Sequence, residues 1–166
     1  MAEQISIGNP VNATERGAYG GIDIMVSGGS ATEDISITYT VSGSAQPGTD
    51  FFGSSWTGST TIFAGATSVN ILLGAINDNL IEGNESVVIT LTGATGLSGG
   101  SYDISSSAAV DSMMIIDDDN EMALLGVSGN QAQEPASPMM ARFSLPGGLT
   151  APEDITITYT AGGTTA

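Results

Sequence analysis

Ala31-Thr32-Glu33-Asp34-Ile35-Ser36-Ile37-Thr38-Tyr39-Thr40 is the stretch that decides the fold, because it is a strand and because it occurs twice. Ile35, Ile37, Tyr39 and Val41 alternate with Ser36, Thr38 and Thr40, the period of two that turns one face of a strand to a core and the other to water. The pattern returns as Ala151-Pro152-Glu153-Asp154-Ile155-Thr156-Ile157-Thr158-Tyr159-Thr160, at an offset of 120 residues. Upstream, Glu15 before Arg16 has a counterpart in Glu134 before Pro135, and downstream Gly43 matches Gly163. An offset of that size marks a tandem array whose unit is a whole domain. The expectation is one complete domain over residues 1–120, a very short linker near Asn120 and Glu121, and the opening strands of an incomplete second repeat over 121–166, taken from a longer parent protein.

Working outward from that strand, similar short segments run through the first unit at residues 5–7, 22–26, 35–41, 60–63, 69–76, 87–91 and 110–116. Seven such strands, separated by turn-rich connections such as Ser27-Gly28-Gly29-Ser30 and Ala64-Gly65-Ala66, predict an all-β, antiparallel, immunoglobulin-like β-sandwich. Residues 93–108, rich in Gly and Ser, read as a long surface loop. In the second unit Met139, Met140 and Phe143 are apolar residues that need a partner surface.

Composition narrows the function. The 166 residues carry 18 acidic side chains against Arg16 and Arg142 alone, a formal net charge of −16. Nucleic acid is not an expected partner, since phosphates need a basic patch, and an anionic membrane surface would repel the chain. No apolar run approaches the roughly 20 residues that a membrane-spanning helix requires, so no membrane insertion is expected. Met1-Ala2-Glu3-Gln4 is unlike a secretory signal, which is expected to lie elsewhere or to have been removed. With neither Cys nor His, the chain has no disulfide, no thiolate or imidazole ligand for zinc or copper, and no such nucleophile or base.

Acidity by itself is equally compatible with solubility in a saline habitat and with cation binding; position separates the two. If successive strands run antiparallel, the connections after the first, third and fifth strands and the exit from the seventh share one pole of the sandwich. Glu15, Asp50, Asp78, Glu82, Glu85, Asp117, Asp118 and Asp119 fall there, eight of the fourteen acids before Asn120. Only Glu33, Asp34 and Asp103 fall at the other pole. Unit charges about 4 Å apart repel by roughly 4 kcal/mol at an effective dielectric of about 20, so a crowd of carboxylates calls for a cation. The all-oxygen donor set favours calcium, which accepts 6–8 oxygen ligands in flexible geometry, over the stricter magnesium.

In this order and spacing, Glu15-Arg16-Gly17, Gly48-Thr49-Asp50-Phe51, the run from Ile76-Asn77-Asp78-Asn79 through Glu82-Gly83-Asn84-Glu85, and Ile115-Ile116-Asp117-Asp118-Asp119 resemble the Calx-β family. That family is known from the regulatory loops of sodium–calcium exchangers and from repeats of bacterial surface proteins. The resemblance spans residues 4–119 and restarts near 122. It implies a cluster of more than one calcium ion at one tip, held at the positions of Glu15, Asp50, Asp78, Glu82, Glu85 and Asp117 to Asp119. Asn77, Asn79 and Gly83 stand where the most acidic members carry further acids, which implies fewer ions or weaker binding.

The expected function is therefore a calcium-binding structural or adhesive repeat of an extracellular or cell-surface protein, with calcium stiffening the domain and the junction to its neighbour. The expected partners are calcium, neighbouring repeats and other copies of the chain. The alternative is a subunit of an extracellular filament or matrix, assembled by β-strand addition to the incomplete repeat. An enzyme is not expected: paired carboxylates can hydrolyse glycosides, but here they are better accounted for as ligands. The glycosylation-like tripeptides Asn12-Ala13-Thr14 and Asn84-Glu85-Ser86 carry no weight, being common by chance.

Overall fold

The computed structural model describes residues 3–53, 55–119, 126–129, 141–144 and 156–160. Among them every regular element is a strand. The chain divides into two compact units, Met1–Asp78 with Gly83–Asp118, and Asn79–Glu82 with Asp119–Ala166.

The first unit contains β1 (Glu3–Val11), β2 (Ala13–Thr14), β3 (Gly20–Val26), β4 (Ile35–Gly43), β5 (Thr57–Ile62), β6 (Ser68–Leu73), β7 (Glu85–Gly96), β8 (Tyr102–Ile104) and β9 (Val110–Ile116). They form two sheets, ordered β6-β3-β1-β8 and β2-β9-β7-β4-β5. The alternating residues decide why these sheets pack: Ile5, Ile22 and Ile24 of the first sheet and Ile35, Ile37 and Ile115 of the second are at most 1% exposed and belong to one core. Each such side chain contributes roughly 1.5–3 kcal/mol on burial, and the layered result is a β-sandwich.

All seven expected strands have counterparts, but the sheets are mixed rather than purely antiparallel. β8 pairs in parallel with β1 and β2 in parallel with β9. Both extra strands are two or three residues long, too short to show a hydrophobic period. They are held by backbone hydrogen bonds, which do not depend on side-chain type. The surface loop expected at 93–108 is also corrected. β7 continues to Gly96 past a register shift opposite Thr38 and Tyr39, and β8 occupies part of the remainder.

The connection between β7 and β8 is anchored by Glu33. Its carboxylate accepts hydrogen bonds from the backbone N–H of Ser98, from the N–H of Gly100 at 2.7 Å and from the Tyr102 hydroxyl at 3.4 Å. A Cβ on Gly96 would lie 2.6 Å from the same carboxylate, so glycine is what lets the backbone come this close.

In the second unit, β10 (Gly126–Gly129) and β11 (Ala141–Ser144) form an antiparallel pair with Val127 opposite Phe143. The rings of Phe143 and Tyr159 lie 5.6 Å apart at 43°. The linker at Asn120 and Glu121, the Glu134-Pro135 counterpart, Met139, Met140, Gly163 and the start of the repeated strand at 151–155 lie outside the described residues.

Candidate metal centre

Strand registers bring one end of the first unit together. Gly20 lies opposite Leu73, Thr14 beside Ile116, Glu85 opposite Ile115 and Gly43 opposite Val87. The loops that leave these positions are tied by their backbones. Glu15 donates its N–H to the Ile116 carbonyl at 3.2 Å, and Ile76 donates to the Asp50 carbonyl at 2.9 Å. The sequence segments bearing Glu15, Asp50, Asp78, Glu85, Asp117 and Asp118 are thus held at one end because the sheets are registered there.

Three of these carboxylates are buried, with Glu15 at 8%, Asp50 at 6% and Asp117 at 4% exposure. Charged groups are seldom buried without compensation, so each must be satisfied locally. Asp50 closes its own turn: its Oδ2 accepts the Gln46 N–H at 2.6 Å, while Gly48 takes the positive φ of 85° that the turn needs. Asp117 Oδ2 accepts the Gly83 N–H at 2.6 Å, and Asn84 Oδ1 accepts the Asp117 N–H at 3.3 Å. Gly83 has φ of 81°, a backbone conformation in which an acid would be strained. Asn77 donates its side-chain amide to the Asp78 carbonyl at 3.3 Å. Two of the three departures from a more acidic pattern thus shape the loop rather than supply charge.

Glu15 and Asp118 are left with more negative oxygen than the protein satisfies. Glu15 accepts the Asp78 backbone N–H, yet its Oε2 is buried with no hydrogen-bond partner among the described residues. Asp118 Oδ2 lies 3.2 Å from the Arg16 Nε, but Oδ1 is buried without a hydrogen-bond partner among the described residues. Arg16 itself is 81% exposed, so it screens one edge of the group instead of filling it. Burial, and then repulsion from Asp117, Asp78 and Asp118, push the Glu15 carboxyl up to about 7.

Among the described residues of the first unit, two sets of carboxylates have oxygens within 4.8 Å of one another, close enough to share a cation: Glu15 with Asp78, and Asp50 with Glu85. Glu82 and Asp119, also singled out from the sequence, belong to the second unit. Asp117 and Asp118, also singled out from the sequence, fall in neither set and sit beside Glu15 through the interactions above. With only oxygen donors, orphaned buried carboxylate oxygens and one exposed arginine, the residues fit a hard divalent cation of the calcium type.

The Glu15 shift has a signed consequence for stability. Its folded pKa, near 7, exceeds the ordinary 4.5, so the metal-free fold holds a proton that the unfolded chain releases. Stability from this group is full below the unfolded value and is lost as pH rises through the folded one. In chelator, the melting temperature is expected to fall between pH 5.5 and pH 8. A flat or rising profile across that window contradicts a buried, repelled Glu15.

The first unit is an all-β sandwich with clustered acidic loops at one end. No protein-family model and no curated protein matches the sequence. Solved structures do match in fold. The apo-form Calx CBD1 domain superposes with a TM-score of 0.56 at 20% identity, over 72% of this chain and 100% of that one. CBD12 from CALX1.2 gives 0.56 at 19% identity over 70% of this chain, and the calcium binding domain CBD12 of CALX1.1 gives 0.51 at 22% over 66%. The chain spans less than half of those last two structures, 46% and 42%. At such identities the likeness is one of fold, and at that level the resemblance to Calx-β domains read from the sequence is borne out.

Proposed function

We propose that the first unit is a calcium-binding domain whose ions are held between Glu15 and Asp78 and between Asp50 and Glu85, with Asp117 and Asp118 completing the cluster. The observation that carries this reading is the burial of Glu15 Oε2 and Asp118 Oδ1 beside other acids with no hydrogen-bond partner among the described residues. The description of the fold-related CBD12 of CALX1.1 as a calcium binding domain supports the choice of ion. These side chains bind and orient the cation; its charge offsets repulsion that otherwise opposes folding, so the reading is structural rather than catalytic.

The wider role we propose is a seven-strand, immunoglobulin-like repeat in an extracellular or cell-surface array, adhesive or structural. Support for the repeat comes from a register match. Ile7 pairs with Ile24 in the first unit and Val127 with Phe143 in the second, the same cross-strand pair displaced by 120 and 119 residues. The recurrent Ile-Thr-Tyr-Thr strand agrees with it. Calcium at the end where β9 leaves the first unit would stiffen the exit to the next repeat.

Calorimetric titration of the whole chain with calcium, paired with thermal melts, tests this. Extracellular calcium modules bind at about 10⁻⁴–10⁻³ M, and a ligand at about 100 times its dissociation constant adds about 2.7 kcal/mol. In 10 mM calcium the melting temperature is expected to rise by roughly 10 °C relative to chelator. No heat of binding together with an unchanged melt would overturn the reading.

A further inference from the structure

The loops that carry the carboxylates also build a cleft from different side chains. It has a volume of about 250 Å³, and Tyr19, Phe52, Gly74, Ala75 and Thr14 are among its lining residues. Tyr19 and Phe52 are 68% and 69% exposed. A Cβ on Gly74 would lie 2.9 Å from both the Phe52 Cδ2 and the Tyr19 Cε1, so two rings converge over a floor of bare backbone. That floor is fixed to its wall by the Phe52 N–H, which donates to the Gly74 carbonyl at 2.9 Å, and by the bridge between Phe51 and Ala75.

The charge around the cleft selects its occupant. Glu15, Asp50 and Asp78 leave the same loops, and Arg16, the only basic residue before residue 119, is engaged by Asp118. Anionic ligands are repelled from such a surface, whereas aromatic faces in a negative field attract cations. Of the cationic side chains, a guanidinium is planar, weakly hydrated and able to stack on a ring, while an ammonium holds its water more tightly.

We propose that this cleft receives the guanidinium group of an arginine side chain presented by a partner polypeptide. The two rings supply the stacking surfaces, and the neighbouring carboxylates supply the field. A single side chain covers little surface, so the cleft acts as an anchor point within a larger contact. The proposal does not rest on calcium binding, because neither ring belongs to a carboxylate set.

The test is a titration of the full chain in chelator at low salt with N-acetyl-arginine N-methylamide, set against the citrulline analogue, a neutral group of nearly the same shape. The readout is the aromatic NMR shifts of Tyr19 and Phe52. The arginine probe is expected to bind at least about tenfold more tightly than the citrulline probe. Tyr19→Leu and Phe52→Leu each reduce that affinity by about tenfold, Tyr19→Phe retains it, and added salt weakens it. Both leucine variants keep the volume of an apolar group at an exposed position, and their thermal melts report whether they fold. Equal binding of the two probes, absence of ring shifts with the arginine probe, or unchanged affinity in both leucine variants overturns the proposal. Arginine binding in a protein that shows no calcium response leaves this inference standing while removing the calcium one.

Discussion

Glu15→Gln is expected to raise the melting temperature in chelator and to remove about half or more of the stabilisation that calcium provides. The two effects have opposite signs because one side chain serves two states. Without metal, Glu15 is buried at 8% exposure and repelled by Asp117, Asp78 and Asp118, and burial followed by that repulsion pushes its carboxyl up to about 7. A glutamine has the same shape, no charge, and an amide that can donate to the very carboxylates that repel the native residue. With metal, the same change deletes an anionic ligand. If it weakens calcium about tenfold, stabilisation at saturating concentration drops by about 1.4 kcal/mol, half of the roughly 2.7 kcal/mol expected for the wild type. Melts of both proteins in chelator and in 10 mM calcium read the two effects separately. A variant less stable than wild type in chelator would show that Glu15 is satisfied without a cation, and the proposed site would lose its main support.

How much of this was legible in the sequence depends on what kind of interaction makes each part. Strands such as β4 and β9 declare themselves because Ile35 and Ile37, or Met113 and Ile115, bury one face and leave the other wet. The end where the carboxylates gather followed from strand order alone, since alternation of direction sorts loops between two ends whatever their residues. The far part of β7 was missed because Thr92, Gly93, Ala94 and Thr95 have no apolar alternation, and a register shift opposite Thr38 and Tyr39 resets the phase. β8 was missed because three residues paired by backbone bonds carry no periodic signal.

The anchoring role of Glu33 also went unread, as an isolated acid in a turn is usually solvent-facing. The available signal was the pair Gly99-Gly100 with Gly96 just upstream, a density of glycines that marks close approach of something to the backbone. Burial of Glu15, Asp50 and Asp117 could not be read at all, because it depends on how the connecting loops fold over one another in three dimensions.

Gly43→Ala is expected to be among the most damaging single substitutions in the first unit and to silence the calcium response with it. Gly43 ends β4 with φ of 128°, outside the range that residues with a side chain favour. A Cβ there would sit 2.8 Å from the carbonyl carbon of Ser86 and closer still to its oxygen, and backbone of a paired strand has little room to move. The conformational strain alone costs about 1–3 kcal/mol, and the clash adds to it, so a loss of about 4 kcal/mol or more is expected. For a domain of this size that lowers the melting temperature by roughly 15 °C. The damage reaches the site because Gly43 pairs with Val87, two residues from Glu85, and because Ser44 and Ser86 exchange hydrogen bonds across the same join, Ser86 N–H to Ser44 Oγ at 2.9 Å and Ser44 N–H to Ser86 Oγ at 3.2 Å. Displacing Ser86 moves Glu85 away from Asp50, its partner across the second carboxylate set. Gly65→Ala is the matched control, since Gly65 also has positive φ, 86°, but a Cβ there would meet nothing within 4 Å. That variant should lose only the strain energy and keep its calcium-induced rise. If the two alanine variants melt alike, the close approach of β4 to Ser86 is wrong, and with it the placement of Glu85 beside Asp50.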